Sequence, residues 1–206
     1  MRRNDDKEML MQRHETLILS ALREQRPGGR VAAMRKLAAA QAQLTTDVEV
    51  LNYALTLEHL EAAFYELASQ YNLGMDPFNN PINEWVTLAG EQEAAHVATL
   101  TDVIGQLGGE PVAAAQYDFG VTDAASFLST AMTLENLGVS AYDGAGQFLQ
   151  NRDLLTAAGT IVAVEARHAA YLNLVNGVIP FPSAFEEPLP PEEVLAAASG
   201  FIVAGA

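Results

Sequence analysis

Two copies of Glu-x-x-His, Glu93-Ala-Ala-His96 and Glu165-Ala-Arg-His168, carry the side chains of this chain best suited to chemistry. A carboxylate and an imidazole three positions apart on a helix share a face, so each pair can grip one cation from adjacent turns. Each pair follows a second repeated phrase. Leu55 to Ala68 reads LTLEHLEAAFYELA, and Met132 to Ala145 reads MTLENLGVSAYDGA. Superposed, Glu58 falls on Glu135, Leu60 on Leu137 and Tyr65 on Tyr142. The sequence therefore holds two similar halves, each a Glu helix followed by a Glu-x-x-His helix.

One Glu-x-x-His arises by chance on exposed helices, where it is only a solvated pair. Two at equivalent places of an internal repeat, using two of only four histidines, are far more specific. Folded together, the four helices bring four carboxylates and two imidazoles to one level. That set suits a pair of divalent cations, iron or manganese, because carboxylates bridge and neutralise while each imidazole adds a nitrogen ligand. Buried without a cation, such carboxylates must protonate. Basic partners are scarce, since residues 47–206 contain Arg152 and Arg167 against twenty-one Asp/Glu, a net charge of −19. Residues 1–46 carry nine Lys/Arg against five Asp/Glu, for +4, and together these make the overall −15.

Other polar residues near the motifs read differently. Glu61 has Gly138 as its repeat counterpart, which places it outside the symmetric set and makes it a candidate extra ligand. Glu66, paired with Asp143, is expected to face solvent, and Glu91 to point away from its neighbour Glu93. His59 reads as a histidine at the bundle edge, Trp85 as packing, and His14 takes no role. Tyr65 and Tyr142 lie seven residues after Glu58 and Glu135, on the same helix faces. That spacing also suits plain core aromatics.

An acidic body repels nucleic acid and anionic membranes and draws cations. There is no cysteine, which excludes disulfides, thiolate nucleophiles, iron–sulfur clusters and cysteine-held zinc. No apolar window is long enough to span a membrane, and no signal peptide is visible, so the expected location is cytoplasmic.

The elements that must position these residues are all helical. Residues 3–25 and 30–43 form an N-terminal arm (1–46), expected to pack or to join copies in a homo-oligomer. Thr45-Thr46-Asp47 caps a helix over 48–71. Asn80-Pro81 starts a second, with Pro at its first position, which stops at Gly108-Gly109. After a longer connection, Thr122-Asp123 caps a third helix running to about Gln150. A fourth ends at Asn176-Gly177, closing a bundle domain over 47–177. The tail 178–206, rich in proline, is expected to pack on the bundle through Val178, Ile179, Phe181, Phe185 and Phe201, with a short helix at Glu192–Ala198. Two antiparallel hairpins joined by one long connection is ferritin-like wiring.

With the paired motifs, this chain resembles the ferritin-like di-metal carboxylate proteins. More narrowly, LNYALTLEHLEAAFYE and FPSAFEEPLPPEEVLAAASGFI are similar to the ferritin-like family of desiccation-related proteins. The resemblance spans 47–206. It implies an all-α four-helix bundle with Glu58, Glu93, His96, Glu135, Glu165 and His168 as ligands of two divalent ions. It also gives Tyr65 and Tyr142 the task of orienting ligand carboxylates. The implied function is oxidative or desiccation stress protection through dioxygen or peroxide chemistry, ferroxidase- or catalase-like. The alternatives are a stress-associated structural or interaction protein with a structural metal site and, further off, an iron-storage cage, which the arm and tail disfavour.

Overall fold

The computed structural model describes residues 44–203, and the expected N-terminal helices lie outside that range. The described residues form an all-helical bundle. Helix α1 spans Asp47–Tyr65, α2 Ile82–Gln106, α3 Ala124–Ala145, α4 Arg152–Val175 and α5 Pro191–Ala198. No described helix is long and apolar enough to cross a membrane. The first four helices form the antiparallel hairpins α1/α2 and α3/α4, joined by the connection through residues 107–123.

Local chemistry sets the ends. Thr46 caps α1 in a full capping box with Glu49, and Asp123 caps α3 with Ser126. Gly108 and Gly177 take φ of +76° and +74°, the left-handed conformation that ends α2 and α4. Two boundaries differ from expectation. α1 and α3 tighten into 3-10 turns at Glu66–Gln70 and Gly146–Phe148 rather than running on as α-helix. Pro81 is the N-cap of α2, one position before the helix, with extended backbone.

Each helix presents a buried apolar stripe: Val86, Ala89, Leu100 and Ile104 on α2, for example, and Ile161, Ala169 and Leu172 on α4. Phe64 stacks on Phe127 and meets Phe119 edge-on, fastening the long connection to the core. Asn52 holds the same connection by bonding both Glu110 O and Val112 N, and His59 Nε2 lies 3.1 Å from Val112 O.

Part of the tail docks. Leu189 N donates to Ser140 O, and α5 buries Val194 and Ala198 against the core. Phe201 O accepts from Asp118 N, tying the tail to the connection. Gly144 makes this docking possible, because a Cβ there would collide with the Leu189 carbonyl. Val178 and Phe201 pack as expected, whereas Ile179, Phe181 and Phe185 are exposed, the last two by 79 % and 87 %. Pro180, Pro182 and Pro188 bar a regular helix here, and the segment leaves these side chains in solvent. Trp85 also sits at the edge, half-exposed, against Tyr171.

Candidate metal centre

Glu93 occupies the place in the α2 stripe where a core apolar residue would sit, between Ala89 and Leu100, and Glu165 does the same on α4 between Ile161 and Ala169. Glu58 and Glu135 hold equivalent positions on α1 and α3. Helix packing thus forces all four carboxylates inward, at 0 % exposure. The two histidines follow one turn on, at the seam between α2 and α4, where their side chains keep 12 % and 10 % exposure.

The six expected residues meet in two overlapping groups. Glu58, Glu93, His96 and Glu165 form one, and Glu93, Glu135, Glu165 and His168 the other; within each, one atom per residue lies within 4.8 Å of the rest. Glu93 and Glu165 are common to both. His96 Nδ1 is 3.1 Å from Glu58 Oε2, 3.0 Å from Glu93 Oε2 and 3.1 Å from Glu165 Oε1. His168 Nδ1 is 2.9 Å from Glu93 Oε1 and 3.4 Å from Glu135 Oε2. Glu93 therefore reaches one histidine with each oxygen, the posture of a bridging carboxylate.

Burial raises the Glu58 carboxyl to about 8, with Glu165 and Glu93 adding repulsion and His96 opposing. Burial and the surrounding carboxylates hold Glu61 and Glu135 well above the ordinary range, His168 opposing at Glu135. Burial disfavours charged histidines, yet the adjoining carboxylates outweigh it and lift His96 to about 12 and His168 to about 10. Glu93 is likewise penalised by burial, but both histidines overcome this and draw it down to about 2. Without a cation, the cluster is held together by protons.

Whether a cation suits it is decided by where the lone pairs go. Glu93 Oε1, Glu135 Oε2, both Glu165 oxygens and His168 Nδ1 are fully enclosed yet make no well-aligned hydrogen bond. Buried polar atoms are ordinarily paired. Here they converge on one another, and Arg152 and Arg167, the only Lys/Arg among the described residues, are both exposed. Oxygen and imidazole donors so arranged fit divalent cations.

The partners behind this set were only partly foreseen. The Tyr65 hydroxyl donates to Glu135 Oε1 and the Tyr142 hydroxyl to Glu58 Oε1, so each half's tyrosine holds the other half's glutamate. Gln92 was missed: its Oε1 lies 2.6 Å from His168 Nε2. That bond turns Nδ1 toward Glu93 and Glu135, as ligand histidines are commonly held. In the sequence its one mark is an amide directly before the Glu of a Glu-x-x-His.

Glu61 departs furthest from the symmetric reading. It is buried, 3 % exposed, among Glu165, Glu135, Glu93 and Glu58. Its room comes from Gly138, where a Cβ would stand 2.9 Å from Glu61 Oε1 and 3.4 Å from Glu165 Oε2. The repeat is broken here as a matched pair, with a fifth carboxylate on one helix and a missing side chain on the other. Glu66 and Glu91 face solvent.

Residues 46–177 match the family described as "Ferritin-like domain". The crystal structure of a conserved hypothetical protein from Mycobacterium tuberculosis is similar at 25% sequence identity and TM-score 0.55, covering 72% of this chain and 98% of that one. No curated protein matches.

Proposed function

This chain belongs to the ferritin-like domain family, and from that premise we propose that it holds two divalent ions, iron or manganese, for redox reaction with dioxygen or peroxide. The observation that carries the reading is the convergence of enclosed, unpaired lone pairs on two overlapping points that share Glu93 and Glu165. In this reading Glu58 and His96 complete one position, and Glu135 and His168 the other. When bound, the ions supply one-electron changes and a place for a small oxidant to react.

The chain's own residues do the rest. Tyr65 and Tyr142 fix the outer carboxylates by one oxygen each and leave the other free to bind. Gln92 keeps the His168 Nδ1 lone pair inward. Glu61 regulates charge. Four carboxylates (Glu58, Glu93, Glu135, Glu165) offset two divalent ions, −4 against +4. Glu61, buried among these four, would be a fifth carboxylate able to offset further positive charge at the site. Near-complete burial of the carboxylates excludes bulk water, so each of these charge effects is felt strongly.

Protection in oxidative or desiccation stress, a homo-oligomer formed through the N-terminal arm and a cytoplasmic location belong to the same proposal and rest on the sequence. The test is consumption of peroxide and dioxygen by protein loaded with Fe(II) or Mn(II), with Glu93→Gln and Glu165→Gln as controls. Turnover lost in both variants is the expected result. The same burial suits a second reading, a stress-associated scaffold that keeps its ions for folding, and a loaded protein inert to both oxidants would select it.

A further inference from the structure

A partly open apolar cavity of about 20 Å³ lies between the helices on the Thr46 side of the carboxylate cluster. Every helix of the four contributes to its wall: Leu51, Ala54 and Leu57 from α1, Leu100 from α2, Tyr142 from α3 and Ala158 from α4. Each of α1 to α4 has a wall residue four or seven positions from a member of the cluster. Ala54 precedes Glu58 by four, Leu100 follows His96 by four, Tyr142 follows Glu135 by seven and Ala158 precedes Glu165 by seven. At 1.5 Å of rise per residue the cavity lies roughly 6–10 Å along the bundle from the cluster.

Tyr142 belongs to both places. It lines the cavity, and its hydroxyl is given to Glu58. The remaining wall is aliphatic apart from Tyr53, so a water there would lack the two to four polar partners that hold buried water. The space exceeds what one water needs, so it admits a small molecule. Leucine and alanine dominate the wall. The buried Tyr53 hydroxyl, which makes no hydrogen bond, is too little to hold water, so the space favours a small, apolar, uncharged molecule.

We propose that this cavity is a binding pocket for a small apolar gas molecule, dioxygen in the working protein, held one tyrosine away from Glu58. The assignment of dioxygen rests on the redox reading above; the gas pocket itself does not. Peroxide, being polar, has no reason to use it, and the members of the site with side chains partly open to solvent are His96 and His168.

Xenon is the probe, since it binds dry cavities of this kind and does so without metal. Metal-free crystals under xenon pressure are expected to show the atom in this cavity, and ¹²⁹Xe NMR of the same protein to show saturable binding. Ala54→Leu fills the space and is expected to abolish both; Ala158→Val serves if the first variant does not fold. In Fe(II)-loaded protein either variant is expected to slow oxidation by dioxygen about tenfold, a barrier change of about 1.4 kcal/mol, while oxidation by peroxide keeps its rate. Absence of xenon from the cavity, or an ordered water in its place, overturns the pocket whatever the metal content. Xenon lost in the variants with the dioxygen rate unchanged overturns its supply of the site. Xenon bound by a chain that takes up no metal supports the gas pocket and overturns the redox reading.

Discussion

Replacing Gln92 with leucine tests how the centre is tuned at one residue. Gln92 Oε1 accepts from His168 Nε2 at 2.6 Å, and the imidazole Nδ1 faces Glu93 and Glu135 as a result. Leucine is close in size and Gln92 is only half-buried, so the helix and its packing survive the change. What is lost is the acceptor that keeps the Nε2–H tautomer and the ring angle. Losses of this type weaken metal binding about 10–100-fold, or about 1.4–2.7 kcal/mol. The repeat counterpart of Gln92 is Val164, so the fall should be confined to the position completed by His168. Calorimetric titration with Mn(II) is expected to show two positions in the parent and one strongly weakened in Gln92→Leu. Gln92→Glu, which keeps an acceptor, should restore it. Equal weakening of both positions, or none of either, refutes the reasoning.

Tyr142→Phe leaves Glu58 without its hydroxyl partner and is expected to weaken the His96 position about tenfold, read in the same titration. The pH dependence has a fixed sign. Glu58, raised from 4.5 to about 8, and His96 and His168, raised from 6.5 to about 12 and about 10, all bind protons more tightly folded than unfolded. Their contribution to metal-free stability is complete below the unfolded values and is lost as pH rises through the folded ones. Glu93, lowered to about 2, acts oppositely but only between about 2 and 4.5. Thermal melts from about pH 5 to 9 should therefore show the metal-free Tm falling, and the Mn(II)-loaded Tm not, because the ions displace those protons; a metal-free Tm that climbs contradicts this. Gly144→Ala should push Leu189 off α3 and release α5, at a cost of about 1.5–3 kcal/mol for exposing Val194. Limited proteolysis near Phe185 would then quicken, with metal uptake unchanged.

The sequence made the helices and the six-residue constellation legible for one reason: helical period and an internal repeat are both local signals. Glu58, Glu93, Glu135 and Glu165 sit at core positions of apolar stripes, which is visible without coordinates. The relation between helices is not local. That Tyr65 serves Glu135 rather than Glu58 follows from how the two hairpins face each other, and no spacing along one helix encodes it. Glu61 reads from the sequence as a candidate extra ligand outside the symmetric set because its counterpart is Gly138, and that glycine is the reason it fits. The broken repeat marks a side chain entering its partner's space, a relation between two helices that spacing along one cannot give. In the tail, composition identified apolar residues but could not say that Phe181 and Phe185 would be left in solvent.

The central claim, that this cluster of buried carboxylates exists to hold two cations, is tested most directly by metal content. Protein purified without chelators and reconstituted with Fe(II) or Mn(II) is to be assayed by elemental analysis beside Glu93→Gln, which alters a carboxylate shared by both groups. About two ions per chain are expected in the parent and fewer than about one in the variant, in line with the two overlapping donor sets. Less than about half an ion per chain in the parent, with the bundle folded, would contradict it.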